Sequence, residues 1–248
     1  GANVAVGAFA LQYVTTAFNN VGVGRNALAA LTTGGQNTAV GGYALNANTT
    51  ASSNTTIGYE ALAANTTGAN NTAVGAYALD ANTTGLQNTV VGKGAGGANT
   101  TGTHNVFIGD DAAGSTVAAT YVTAVGQGAL YASVAATCVH STAIGSGALG
   151  GGACGSGNVA VGYHAGYANT AADGAFIGYS AGAANTSGAN NVAVGGYALT
   201  ANTTGANNTA VGYRAIGSGV TTGDDNTAVG RYAGKALTSV NQNTIVGQ

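Results

Sequence analysis

The chain has 248 residues, a net charge of −2 and charged side chains at only 5% of positions. Such neutrality excludes a protein that grips nucleic acid by its phosphates, and no apolar run reaches the roughly 18 residues that would insert directly into a membrane. With 44 glycines but no proline, the chain is not collagen, and an apolar fraction of 45% argues against disorder.

From the N-terminus onward one unit recurs, seen most clearly as Asn71-Thr72-Ala73-Val74-Gly75 followed by Ala76-Tyr77-Ala78-Leu79. Its closing glycine falls at Gly7, Gly24, Gly41, Gly58, Gly75, Gly92, Gly109, Gly126, Gly145, Gly162, Gly178, Gly195, Gly212, Gly230 and Gly247. The first seven steps are 17 residues, and the rest are 19, 17, 16, 17, 17, 18 and 17. A constant period this short marks a solenoid whose turns stack on one another. Seventeen residues cannot hold a helical pair, so each coil is expected to be β, with two short strands and two turns. The fold class expected is an all-β parallel β-solenoid, one repeat domain over residues 1–248. At about 4.8 Å per coil it makes a rod of roughly 70 Å. Both ends are in phase and carry no capping unit, which predicts a segment of a longer fibre protein or ends covered by other chains.

Twelve of the fifteen coils open on Asn, at Asn3, Asn20, Asn37, Asn54, Asn71, Asn88, Asn105, Asn158, Asn191, Asn208, Asn226 and Asn243. In a parallel stack these side chains are expected to hydrogen-bond along the axis as a structural ladder; the alternative is a polar ligand-binding row. The second and fourth positions, Thr or Val then Val or Ile, are read as the apolar filling of the coil. The small third residue is read as an outer face suited to close approach of another chain. The Ala-Leu pair after the glycine is expected to give a second strand its buried side chain.

The two residues after each glycine hold seven of the twelve charges and eight of the twelve tyrosines. Charges are rarely buried unpaired, so these positions face solvent; Lys93 and Asp110 share a phase and are placed to pair. Tyr43, Tyr59, Tyr77, Tyr163, Tyr179, Tyr197, Tyr213 and Tyr232 form an interrupted outer stripe. It either packs on itself to shield thin strands or contacts a carbohydrate or receptor.

Other motifs are weaker. Gly92–Gly97 and Gly145–Gly150 match G-x-G-x-x-G but open no expected helix, so repeat glycines explain them. Gly178-Tyr179-Ser180-Ala181-Gly182 matches a nucleophile elbow, with His164 in phase one coil earlier and Asp173 the nearby acid. A coincidence of variable outer positions is the simpler reading, and no catalytic residue, metal ligand or cofactor is assigned. Asp110-Asp111 and Asp224-Asp225 lack the ligand count that calcium needs. His104 and His140 are isolated. Cys138 and Cys154 occupy nearly the same phase in adjacent coils, within reach of a disulfide or as two buried thiols.

The unit resembles the S-V-A-I-G-x-x-A repeat in the YadA-like head of trimeric autotransporter adhesins, most closely at Thr142-Ala143-Ile144-Gly145 and Val159-Ala160-Val161-Gly162. The longer form, with Asn-Thr-Thr-Gly as at Asn65, Asn82, Asn99 and Asn202 or Asn-Thr-Thr-Ala at Asn48, is similar to repeats of bacteriophage tail-fibre proteins. The resemblance implies a left-handed β-roll, a homotrimer, and an extracellular location on a bacterial surface or a virion tail fibre. The thinness of each coil points independently to burial between chains. The function expected is a structural fibre segment with an adhesive, receptor-binding surface for a host glycan or protein. The alternatives are a self-assembling extracellular filament and an ice-binding solenoid, whose Thr row (Thr38, Thr55, Thr72, Thr89) is interrupted and expected to face inward.

Overall fold

The computed structural model describes residues 1–132, 138–217 and 221–248. They hold fifteen strands of three residues each and no helix. One compact unit, Gly1–Val122, contains β1 (Val4–Val6), β2 (Val21–Val23), β3 (Thr38–Val40), β4 (Thr55–Ile57), β5 (Thr72–Val74), β6 (Thr89–Val91) and β7 (Val106–Ile108). The second, Thr123–Gln248, contains β8 (Thr123–Val125), β9 (Thr142–Ile144), β10 (Val159–Val161), β11 (Ala175–Ile177), β12 (Val192–Val194), β13 (Thr209–Val211), β14 (Thr227–Val229) and β15 (Thr244–Val246). Within each unit every strand pairs in parallel with the next in the chain, at one register: Thr38 faces Thr55 in β3 and β4, and Val192 faces Thr209 in β12 and β13. Each unit is therefore a parallel β-solenoid.

The anchor glycine ends each strand with a left-handed turn. At Gly195, φ is 126°, and a Cβ would stand 2.7 Å from the carbonyl oxygen of Gly212 in the next coil. A side chain there would force the coils apart, which is why the position never varies.

Two expectations are corrected. The second run of each coil is not a strand. In Gly42-Tyr43-Ala44-Leu45, both Tyr43 (φ 59°) and Leu45 (φ 52°) are left-handed. The Tyr43 amide donates back to Arg25 O (2.8 Å), whereas the Leu45 amide donates forward to Ala61 O (3.0 Å). These bonds tie the coil to both neighbours and offset a left-handed cost of about 1–2 kcal/mol per residue.

The strand faces are also the reverse of the expectation. The third residue points inward: Ala39, Ala73, Ala143 and Ala210 are fully buried. The second and fourth positions point out, so Val40, Ile57, Val91 and Ile108 remain well exposed. The reason is width. The interior is already occupied by the coil's leucine (Leu28, Leu45, Leu62, Leu79) and its asparagines, which leaves room for a small residue, Ala in most coils and Thr56 in β4. Where a strand carries phenylalanine as its third residue, the leucine position gives way. Phe107 in β7 lies over Gly96, whose Cβ would meet its ring at 2.9 Å. Phe176 in β11 lies against Gly166 and Gly182. The volume is kept while its owner changes.

Candidate functional site

Asparagine holds the stack together. The Asn37 amide N–H and Nδ2 both donate to Asn20 Oδ1 (2.9 and 3.0 Å), and Nδ2 also donates to Ala51 O (2.9 Å). Farther along, Asn208 N donates to Asn191 Oδ1 (2.9 Å) and Asn226 Nδ2 to Asn208 Oδ1 (3.0 Å). Asn20 through Asn105, Asn158, Asn191, Asn208 and Asn226 are buried, with Asn3 and Asn243 partly exposed at the ends. Val122, Ser141 and Gly174 interrupt the row, but Val122 N still donates to Asn105 Oδ1 (3.0 Å), Asn158 N to Ser141 Oγ (3.2 Å) and Gly174 N to Asn158 Oδ1 (2.8 Å). These buried groups are satisfied by one another and by backbone, so the row is not open to a ligand.

A second ladder escaped the sequence reading. Asn48, Asn65, Asn82 and Asn99, and Asn169, Asn185 and Asn202, are also fully buried. Asn65 Nδ2 donates to Gly68 O (2.9 Å), the carbonyl that also accepts from Asn54 Nδ2 (3.0 Å). The longer Asn-Thr-Thr-Gly turn therefore carries its own internal support. Its regular recurrence was the signal.

The surface offers two features. One is the outward strand face, a grid of Val and Ile beside a rank of Thr and Val. Thr38, Thr55, Thr72 and Thr89 lie on this face, outside rather than inside the coil. The other is the tyrosine wall. Because each tyrosine follows the anchor glycine by one or two residues, backbone bonds fix its neighbour's position: Tyr77 N to Tyr59 O (2.9 Å), Tyr197 N to Tyr179 O (2.8 Å), Tyr232 N to Tyr213 O (3.0 Å). In the first unit the rings of Tyr43, Tyr59 and Tyr77 follow at 6.1 and 5.6 Å between centroids. In the second, Tyr163, Tyr179, Tyr197, Tyr213 and Tyr232 follow at 5.1, 5.1, 6.1 and 5.7 Å. Most pairs are edge-to-face, the arrangement the ring quadrupole favours.

Cations cap these rings. Arg25 lies 5.8 Å from the Tyr43 centroid; Arg214 lies 5.2 Å from Tyr197 and 5.6 Å from Tyr213; Arg231 and Lys235 lie 4.5 and 5.1 Å from Tyr232. The Tyr59 phenol, hydrogen-bonded to Glu60 and beside its charge, titrates above the ordinary phenol value. Tyr179 does too, because a charge on Tyr197 would repel its own. Both hydroxyls are therefore donors at neutral pH.

The remaining candidates do not converge. His164 stacks on Tyr163 (4.0 Å) and Tyr167 (4.6 Å), and no hydrogen bond joins it to Ser180 among the described residues. Asp224 Oδ1 accepts from Ala206 N (2.7 Å) and Asp225 Oδ1 from Asn207 Nδ2 (3.1 Å). No group of three or more His, Cys, Asp or Glu side chains gathers among the described residues. Lys93 and Asp110 make no ion pair there; the link between their coils is backbone, Asp111 N to Lys93 O (2.9 Å). Gly94, Gly96 and Gly147 of the glycine-rich motifs occupy the left-handed positions that Tyr43 and Leu45 hold elsewhere. His104 stacks on Tyr121 (4.8 Å). Cys138 and Cys154, both buried, are joined in a disulfide with Cα atoms 5.3 Å apart.

Fold and surface thus define a parallel β-solenoid with an uncovered apolar sheet face and an aromatic wall. Comparison with protein-family models, with curated proteins and with solved structures finds no match.

Proposed function

We propose that the chain is a structural segment of an extracellular fibre, on a bacterial surface or a virion tail. Three copies associate through the outward strand faces, and the tyrosine walls are turned to a host glycan or protein receptor. The observation that carries this reading is the uncovered face: Val40 is 36% exposed, Ile57 45% and Ile108 40%, with Ile144 and Ile177 alike in the second unit. Regular ranks of exposed Val and Ile without a charge mark an association surface rather than a solvated one. The number three rests on the resemblance to trimeric adhesin heads. Three copies repeat each outer position, so weak contacts add through multivalency.

Sedimentation equilibrium tests it: a species three times the 23.4 kDa chain mass is expected, and a monomer at micromolar concentration sinks the reading. A second reading, ice binding, gains from the outward Thr38, Thr55, Thr72 and Thr89. It requires the same face to be free, so a monomer with thermal hysteresis selects it.

A further inference from the structure

We propose that the tyrosine wall of the second unit is a binding site for a linear anionic polysaccharide laid along the stack, carried by Tyr179, Tyr197, Tyr213, Tyr232, Arg214 and Arg231. This rests on the adhesive reading above and gives it a ligand class.

The first support is charge. The positions after the anchor glycine from Tyr163 to Tyr232 include Arg214 and Arg231 and no acid, and Lys235 joins them beside Tyr232. No carboxylate pairs with these three cations among the described residues; they rest on ring faces instead. Asp173, Asp224 and Asp225 precede their strands, at the opposite end of the strand from the wall. The corresponding run in the first unit places Glu60 beside Tyr59, so only the second unit's wall carries cations without an acid. A guanidinium already positioned on an aromatic ring loses little freedom on meeting a carboxylate or sulfate.

The second support is repetition. Tyrosines recur at 5.1–6.1 Å in an unbroken run of five. Tyr179 is half exposed, and its hydroxyl stays protonated. A polymer of rings with an apolar C–H face and hydroxyl rims matches a row of amphipathic phenols, one contact per coil.

Charge density separates this ligand from a polynucleotide. Three cations across five tyrosines, in a chain of net charge −2, cannot balance one phosphate per nucleotide. Only Tyr163 and Tyr179 lie near parallel; Tyr197, Tyr213 and Tyr232 follow tilted or edge-to-face, so the run lacks the successive parallel platforms that bases use.

The repeat itself supplies substitutions that suit each backbone position. Arg214 is left-handed (φ 52°), where Asn26 stands in another coil (φ 59°), so Arg214→Asn keeps the turn. Arg231→Gln and Tyr179→Gln place glutamine where Gln127 stands. Calorimetric titration of the full chain uses polygalacturonate and dextran sulfate, with uncharged dextran and poly(dT) for comparison. At least one charged glycan is expected to bind, weakening as salt rises. Arg214→Asn/Arg231→Gln and Tyr179→Gln should each weaken it about tenfold, the size of one or two charge-assisted hydrogen bonds, with melting temperature unchanged. No binding, equal binding of dextran, unaltered affinity in the variants, or tighter binding of poly(dT) each overturns the proposal. Sedimentation of the same samples separates the two readings. Assembly without glycan binding sinks this site alone, and a monomer that still binds sinks the trimer alone.

Discussion

Phe176 shows how one residue chooses its neighbours. Its ring fills the space that a leucine takes in most coils, and Gly166 and Gly182 stand where those leucines would be. Phe176→Ala leaves that space empty and should cost about 3–5 kcal/mol. Adding Gly182→Leu restores the Ala and Leu of the regular coil, so the double variant should recover at least half of the loss in chemical denaturation. Equal or greater loss in the double variant would show that ring and glycine are not complementary. Asp80 offers a second test. Partial burial disfavours its charge and raises its carboxyl pKa above the ordinary 3.8. A raised folded pKa favours the fold below the unfolded value, and that gain is lost as pH rises through the folded value. Asp80→Asn should therefore melt higher than the parent at neutral pH and match it below 3.8. A variant that melts lower at pH 7 contradicts this.

At the scale of the coil, stability resides in asparagine more than in strand length. Asn71 receives the Asn88 backbone N–H (3.0 Å) and Nδ2 (3.0 Å), and donates to Gly85 O (2.9 Å). Asn71→Ala orphans buried groups in the next coil and should cost about 1–3 kcal/mol for each group left unpaired. Asn243, partly exposed at the last coil, should lose much less on the same change. Equal losses by urea denaturation would refute the ladder's role. The coil period, the first ladder and the position of the tyrosines were legible because each recurs in fixed phase. The strand faces were not. A three-residue strand alternates, but alternation does not say which side is inside, and here both sides are apolar. Size was the wrong guide, since the larger Val40 faces out and the smaller Ala39 faces in. The left-handed Tyr43 and Leu45 were hidden because neither residue type advertises that backbone. Gly94, Gly96, Gly128 and Gly147 at the equivalent places did, and comparison between coils would have exposed it.

At the scale of the molecule, charge placed on the outward sheet face tests whether copies meet there. Ile57→Lys and Ile108→Lys place charge on it without touching the interior, since both side chains project away from the coil. If copies associate there, the double variant should sediment as a 23.4 kDa monomer with its β-structure retained. An oligomer of unchanged mass would move the contact elsewhere. The tyrosine wall is independent of this face, being set by the residues that follow the glycine, so its aromatic packing should survive in such a monomer.

Each coil is written in its neighbour's hydrogen bonds rather than in distant contacts. A coil can therefore be copied or deleted as a cassette and find the same partners waiting. The steps of 16, 18 and 19 residues show that the joins tolerate slack while the phase of the strand is kept. Length is then a freely heritable trait of such a protein. Unequal crossing-over between near-identical repeats would lengthen or shorten the array, and natural selection could tune its reach without redesigning a core.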